Sequence, residues 1–431
     1  MRTHDPEQAL AIVAGVRTPF CRAGGALKDL SAGDLATHVF REVLDRTGID
    51  PAEIDEVILG CAGAGSNESN VARVAALRAG VPRSVPAVTV MRNCGSGMEA
   101  MLAAEHRLRA GDGDLFLVGG TESMSNFPLI MGRELTAFFA RMQKSRSLWQ
   151  RLRLLGGFRP RWLRPRVALV EGLTDPVTGM IMGNTAERLA RLFAIDRRSM
   201  DEFALRSHQR AAAARESGRL AREIAPVALP SGAVVSQDDG IRAEQTIEAL
   251  ARLRPVFDRE NGDVTVGNAC QVTDGAVALL CASEARARGM GLTPLAVVRG
   301  HARAGLDPAT MGLGPVHATP VALEQAGIEL DQVDAIEINE AFAAQVLGCL
   351  RAFEDEDYCR EMGLPGPVGA IDEDRLNPNG GAIAIGHPIA ATGARIALTV
   401  AHELRVRGKR YGLAALCIGG GQGQAMVLEA T

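Results

Sequence analysis

The chain has 431 residues, 47% of them hydrophobic and 23% charged, which is room for two or three domains with substantial cores and excludes a disulfide-stapled mini-protein or a disordered tail. Aromatic residues make up only 4% while glycine occurs 48 times, so the interior is expected to rest on Ala, Leu, Val and Ile at close backbone approach. A net charge of -4 excludes nucleic-acid binding by bulk electrostatics.

Residues Met1–Leu10 are polar and charged, and no secretory signal or mitochondrial presequence is expected before the first strand-like run, Ala11–Gly15. No stretch approaches the ~18 apolar residues of a membrane-spanning helix. Short β-branched runs follow at Glu56–Leu59, Ala87–Met91, Leu115–Val118, Leu295–Val298, Ala335–Ile338 and Leu413–Ile418. Helical periodicity fills the gaps, as in Leu35–Arg46 and Met98–Arg109, and the alternation predicts an α/β protein with largely buried sheets. Two passages match position by position: Gly48–Leu59 and Gly327–Ile338, each an Ala-rich helix end, a turn and a strand. A second echo relates Leu115–Gly120 to Leu413–Gly421. Two related halves joined by a middle section are the simplest account.

The middle section, roughly Ser125 to Arg254, differs in character. Its stretch Arg133–Arg166 holds ten Lys or Arg against the single acid Glu134, a net +9 in a chain that totals -4. Both tryptophans, Trp149 and Trp162, lie there. Read as one helix, Leu135, Phe138, Phe139, Met142 and Trp149 share a face, with Arg133, Arg141, Lys144 and Arg151 opposite. Thr185–Arg197 and Arg198–Glu216 read as two further helices.

Four local patterns could carry chemistry. In Val90–Met98 a strand runs into Asn-Cys94-Gly-Ser-Gly and then a helix. Cys94 is thereby expected near a helix N-terminus, which favours the reactive thiolate; a buried structural cysteine has the same local pattern. In Asn377–Arg395 a glycine-rich segment presents His387 between Gly386 and Pro388, where an imidazole near a thiol can take its proton; a satisfied core histidine is the bland alternative. Leu416–Gly423 ends a strand in Cys417 and then glycines, whose N–H groups can face an oxyanion or merely turn a hairpin. In Glu337–Gln345 a strand passes into a helix, and Asn339 there either caps the helix or orients a water. Metal ligation is not expected, because no His pair or Cys/His cluster has ligand spacing. The eight scattered cysteines include no CxxC pair, so free thiols in a reducing cytoplasm are expected.

Together these motifs resemble the thiolase superfamily, and the resemblance spans nearly the whole chain. Asn-Cys94-Gly-Ser-Gly-Met, Asn339-Glu-Ala-Phe, Gly386-His387-Pro with Ala-Thr-Gly-Ala-Arg395, and Cys417-Ile-Gly-Gly-Gly stand in the family's order. Met182–Glu187 and Gly267–Gly275 resemble two further signatures. The resemblance implies a duplicated five-layer αβαβα core. Residues 1–124 with 255–285 would form the N-terminal half, 125–254 an inserted loop domain, and 286–431 the C-terminal half.

By the same resemblance Cys94 is the acylated nucleophile, His387 its activator and Cys417 the acid/base at the α-carbon of acetyl-CoA. His387 and a water on Asn339 would bind the enolate oxygen, and the N–H groups of Cys94 and Gly419 the acyl-enzyme oxygen. Arg242 resembles a residue near the CoA nucleotide, Cys270 stands where the family often has a pantetheine-contacting Ser, and Met182 and Met311 resemble acyl-site methionines. Coenzyme A is a substrate, and no cofactor is implied. The expected activity is acyl transfer between CoA and acetyl-CoA in fatty-acid β-oxidation, by a homodimer or homotetramer. The alternatives are a biosynthetic acetoacetyl-CoA thiolase and, in a different class, a non-catalytic partner-binding subunit. A ketoacyl-synthase-type enzyme pairs its cysteine with two histidines, which the Cys417 motif argues against. The basic stretch Arg133–Arg166 resembles a longer loop of trifunctional-complex β-subunits, and an anionic membrane surface, a partner subunit or the CoA phosphates are its expected contacts.

Overall fold

The computed structural model describes residues 9–431; the expectation about leader sequences falls mainly on residues 1–8, outside the described ones. The chain opens with β1 (Leu10–Arg17), β2 (Cys21–Arg22), α1 (Ala32–Thr47), β3 (Glu56–Gly60), α2 (Val71–Arg78), β4 (Ala87–Val90), α3 (Ser96–Ala110) and β5 (Leu115–Ser123). An inserted section carries α4 (Arg133–Lys144), α5 (Leu148–Gly156), α6 (Met182–Leu192) and α7 (Arg197–Glu216). Strand β6 (Thr273–Ser283) completes the first half. The second half holds β7 (Ala296–Gly305), α8 (Gly314–Ala326), β8 (Ala335–Ile338), α9 (Ala343–Ala352), α10 (Thr392–Arg407), β9 (Tyr411–Ile418) and β10 (Gln422–Glu429).

The main sheet runs β8-β9-β10-β7-β1-β6-β5-β3-β4, with β2 paired to β6. It is two sheets joined at a seam of two antiparallel pairs, Ala11 with Val297 and Ile12 with Ala296. From that seam outward the pairings repeat. β1 is antiparallel to β6, β6 antiparallel to β5, and β5 parallel to β3. Likewise β7 is antiparallel to β10, β10 antiparallel to β9, and β9 parallel to β8. The repeated passages occupy equivalent places: α1 stops at Gly48 and α8 at Gly327, both left-handed at φ 64° and 68°, and each then leads to the outer parallel strand. Glycine takes this conformation without steric cost.

Side-chain alternation along each strand divides the interior into three cores. Leu115 and Leu117 of β5 face α1 and α2, whereas Phe116 and Val118 face α3 and α10. In β9, Leu413 and Ala415 face α8 and α9, whereas Ala414 and Leu416 join the same central core. Helices α3 and α10 therefore form a middle layer between two sheets, each covered outside by its own helices, which gives the five-layer order.

The basic segment does not form the single helix read from its periodicity. Helix α4 ends at Lys144, and Ser147 starts α5 with a capping box to Gln150, because a serine satisfies helix N-terminal N–H groups better than helix interior ones. Leu135 and Phe138 are buried, but Phe139 and Trp149 are exposed. The two helices read downstream begin earlier and at a clearer break, as α6 and α7.

A buried ionic cluster pins the insertion to the core. Arg17 of β1 donates to Asp238 at 2.7 and 2.9 Å and to Glu223 at 3.2 Å. Glu223 also accepts from Arg219 at 2.7 Å, and Arg219 reaches Glu403 of α10 at 3.1 Å. Burial pushes the Glu223 carboxyl up, but Arg219 and Arg17 outweigh it and hold the group at about 2. Its stabilising contribution is complete above the ordinary carboxylate value of ~4.3 and is lost as pH falls toward 2. Arg17→Met leaves buried Asp238 without its cation and Glu223 with Arg219 alone, and is expected to cost about 3–5 kcal/mol, read as a lower urea midpoint at neutral pH.

Candidate active site

Cys94 sits in the turn between β4 and α3. Asn93 adopts φ 42°, a left-handed conformation Asn tolerates, and its amide donates to the Gly419 carbonyl at 2.8 Å. That bond ties the Cys94 turn to the hairpin between β9 and β10. The N–H groups of Gly419 and of Cys94 itself face the Cys94 sulfur. The glycine-rich segment after Cys417 is thus both a hairpin turn and a source of donors.

His387 precedes the start of α10. Its backbone N–H donates to the Gln271 carbonyl at 3.2 Å. Its Nδ1 lies 2.6 Å from Thr392 Oγ1, and that hydroxyl donates its only proton to the Pro388 carbonyl at 3.0 Å. Thr392 can therefore only accept from the ring, which places the imidazole proton on Nδ1 and leaves Nε2 as a base.

A cavity of about 130 Å³ is lined by Cys94, Cys270, His387, Cys417, Gly419, Met182 and Met311, all candidates from the sequence. The other walls include Leu173, Ile181, Phe257, Phe342 and Ile389, and among the described residues no Lys, Arg, Asp or Glu lines it. Two candidates lie outside this lining. Arg242 is exposed on the insertion, and its backbone N–H donates to His208 Nδ1 at 3.2 Å. Asn339 is fully buried at the end of β8, where its N–H donates to the Ala415 carbonyl at 2.9 Å. Asn339 is not the helix cap that its position suggested: α9 begins only at Ala343, with Phe342 at its cap. Both polar atoms of its side chain lack a partner among the described residues.

The electrostatics correct one expectation. A helix N-terminus was expected to lower the Cys94 pKa. Burial instead pushes the thiol up to about 11, despite the opposing N–H groups. Burial also raises Cys270 to about 12 and Cys417 well above its ordinary value, with Cys94 close to both. Burial, with Arg395 adding to it, holds the His387 imidazole down at about 4. At neutral pH the resting pair is thiol and neutral imidazole, because apolar walls penalise both charges.

Two residues with no assigned role in the sequence reading belong to this site. Thr392 sits within the quoted Ala-Thr-Gly-Ala-Arg motif, but only the fold shows that it orients His387. Glu122, at the end of β5, is fully buried beside the Cys94 turn. Among the described residues, no group of three or more His, Cys, Asp or Glu is placed to hold a metal, and no helix is long and apolar enough to cross a membrane.

Residues 10–285 match the family model for the thiolase N-terminal domain and residues 292–430 that for the thiolase C-terminal domain. The chain is 47% identical to an Escherichia coli protein named 3-oxoadipyl-CoA/3-oxo-5,6-dehydrosuberyl-CoA thiolase, covering 97% of this chain and 98% of that one. It is 39% identical to a 3-ketoacyl-CoA thiolase of Pectobacterium carotovorum, covering 98% and 97%. The crystal structure of human mitochondrial 3-ketoacyl-CoA thiolase in complex with CoA superposes with a TM-score of 0.85 at 36% identity, covering 99% of both chains. The chain belongs to the thiolase family. Its activity is that of an acyl-CoA thiolase, an acyltransferase.

Thr392→Val keeps the shape and removes the acceptor of the ring proton. It is expected to lower kcat about 10–100-fold with little change in thermal stability, since general acid-base catalysis of this kind contributes about 10²–10⁴-fold; steady-state thiolysis kinetics and a melting curve check both.

Proposed function

We propose that the chain degrades 3-oxoacyl-CoA with CoA to acetyl-CoA and a shortened acyl-CoA, through an acyl-Cys94 intermediate. The observation that carries this reading is the convergence of Cys94, His387, Cys417 and Gly419 on one apolar cavity. In the first half-reaction His387 Nε2 takes the Cys94 proton as the sulfur attacks the 3-oxo carbon. The C2–C3 bond breaks, and the departing acetyl-CoA enolate is protonated at carbon by Cys417. Its oxygen rests on the His387 Nε2–H and on a water held by the unpartnered Asn339 amide. In the second half-reaction the Cys417 thiolate takes the proton of CoA, whose sulfur attacks the acyl group. The N–H groups of Cys94 and Gly419 hold the tetrahedral oxygen, and Cys94 leaves with the proton returned by His387. A backbone donor of this kind is worth about 2.7–4 kcal/mol of barrier. Cys94→Ala is expected to abolish both turnover and the acyl adduct seen by intact-protein mass spectrometry; an adduct that persists refutes the assignment. Cys270 and Met182 would line the pantetheine and acyl path, with Met311 beside them, and Arg242 would meet the CoA nucleotide outside.

The apolar walls favour an uncharged acyl chain, as in fatty-acid β-oxidation. A carboxylate in this cavity would lose hydration with no cation to meet it. The name of the 47% identical relative supports a second reading, a dicarboxylic 3-oxoacyl-CoA. A matched pair, 3-oxohexanoyl-CoA and 3-oxoadipyl-CoA, separates the two. The first reading expects kcat/KM higher for the uncharged substrate by about tenfold or more; the reverse preference establishes the second.

A homodimer is the assembly this reading favours, because β4 is an edge strand with half-buried Val88 and Val90 and the exposed Met91 beside it, and an unpaired edge invites a second copy. The segment 133–166 would rest on an anionic membrane. Helix α5 buries none of its residues, and Leu148, Trp149, Leu152 and Leu155 are exposed on it among arginines, a composition suited to a lipid interface. Co-sedimentation with phosphatidylserine vesicles is expected at low salt and to weaken at high salt; no binding at low salt removes the membrane and leaves a partner subunit or the CoA phosphates. The free cysteines suit a reducing cytoplasm.

A further inference from the structure

Glu122 is a buried carboxylate with no cationic partner among the described residues. Its four donors come from two separate parts of the chain, Cys61–Gly63 and Ala390. Oε2 accepts from the Ala62 N–H at 3.2 Å and the Ala390 N–H at 3.2 Å. Oε1 accepts from the Gly63 N–H at 2.8 Å, with the Cys61 thiol at 3.8 Å. Ala62 and Gly63 follow β3 in the N-terminal half, whereas Ala390 stands three residues after His387 in the C-terminal half. The Ala390 carbonyl is gripped as well: a Cβ on Gly97 would lie 2.7 Å from that oxygen, and one on Gly120 2.1 Å. Gly97 is three residues after Cys94. Ala390 therefore donates its N–H to Glu122 and packs its carbonyl oxygen closely against Gly97, in the first turn after Cys94, and against Gly120.

We propose that Glu122 is a positioning residue for the thiolase reaction: its ionised carboxylate locks the His387–Ala391 turn of one half against the other and so sets the imidazole at Cys94. A carboxylate accepts at both oxygens, which this cradle requires. A protonated carboxyl, or an amide, turns one oxygen position into a donor facing N–H groups and leaves the clamp half-made.

Burial, against the three backbone donors, pushes the Glu122 carboxyl up to about 7. The titratable groups facing it are the Cys61 thiol, raised by burial and by Glu122, and the Cys94 thiol at about 11; the His387 imidazole is held at about 4 by burial and Arg395. None of these changes charge near neutrality. The clamp is thus complete above about 7 and is lost as pH falls through it, so Glu122 and not His387 sets the acid limb of Cys94 acylation.

The test measures single-turnover acylation by a 3-oxoacyl-CoA, which excludes the titration of free CoA. Wild-type protein is expected to lose rate as pH falls through about 7. Glu122→Gln is expected to slow acylation about tenfold or more at pH ~8 with KM little changed, an effect of the size of a mispositioned acid-base group, and to lose the limb near 7. Its Cys94 should still react with iodoacetamide. A variant that keeps the wild-type rate, or one that keeps the limb near 7, overturns the proposal. Should Glu122→Gln fail to fold, the wild-type profile decides alone: an acid limb only near 4 assigns it to His387 and overturns the proposal.

Discussion

Two helices whose first three residues are all buried, starting from the same point, are the constraint on which the site depends. Thr392 through Ala401 of α10 are all buried, as is most of α3. Such helices can meet only through small residues. A Cβ on Gly97 would strike the Ala394 backbone at 2.9 Å, and one on Gly393 the Met98 backbone at 2.7 Å. The reciprocal contact lies at the first turns, so the segments entering the two helices are forced together. Cys94 is on one and His387 on the other. The low aromatic content and the many glycines of the chain express this packing, and the approach of the Cys94 and His387 segments is a product of it.

The same packing explains why the resting site carries no charge. A thiol pushed up to about 11 and an imidazole held at about 4 cannot exchange a proton favourably before substrate arrives. Under the proposed mechanism charge develops only during attack, opposite donors that never titrate. The N–H groups of Cys94 and Gly419 are fixed by backbone geometry, and the Asn93 amide locks the second of them through the Gly419 carbonyl. Such donors need no reorganisation when an oxyanion forms. An apolar, uncharged lining also gives bulk water little to bind beside a thioester intermediate.

The legible part of this design was local. A strand ending in Asn-Cys94-Gly, a histidine between Gly386 and Pro388, and Cys417 before glycines each announce a backbone bend, and the repeated Gly48 and Gly327 passages announce the duplication. What stayed illegible depends on contacts across the chain. Glu122 reads as an ordinary polar residue at a strand end until Ala390, 268 positions away, donates to it. The direction of the Cys94 pKa was misread for the same reason: the helix end is visible in the sequence, but the burial that outweighs it is not. Asn339 failed as a cap because the chain runs on extended to Phe342 before α9 begins. The basic segment split at Ser147 because a capping box competes with an apolar stripe that no core was there to receive.

Division of labour between core and insertion follows from where the cavity walls originate. Cys94, His387, Cys417 and Gly419 belong to the duplicated halves. Leu173, Ile181 and Met182 come from the inserted section. That section is held to the core by Arg17, Arg219, Glu223, Asp238 and Glu403, a cluster whose hydrogen-bond geometry fixes a single register. Apolar packing alone tolerates sliding; a fully paired ionic cluster does not, since any shift strands a charge in the interior. The acyl-facing wall can therefore change its side chains while its distance from the nucleophile stays constant.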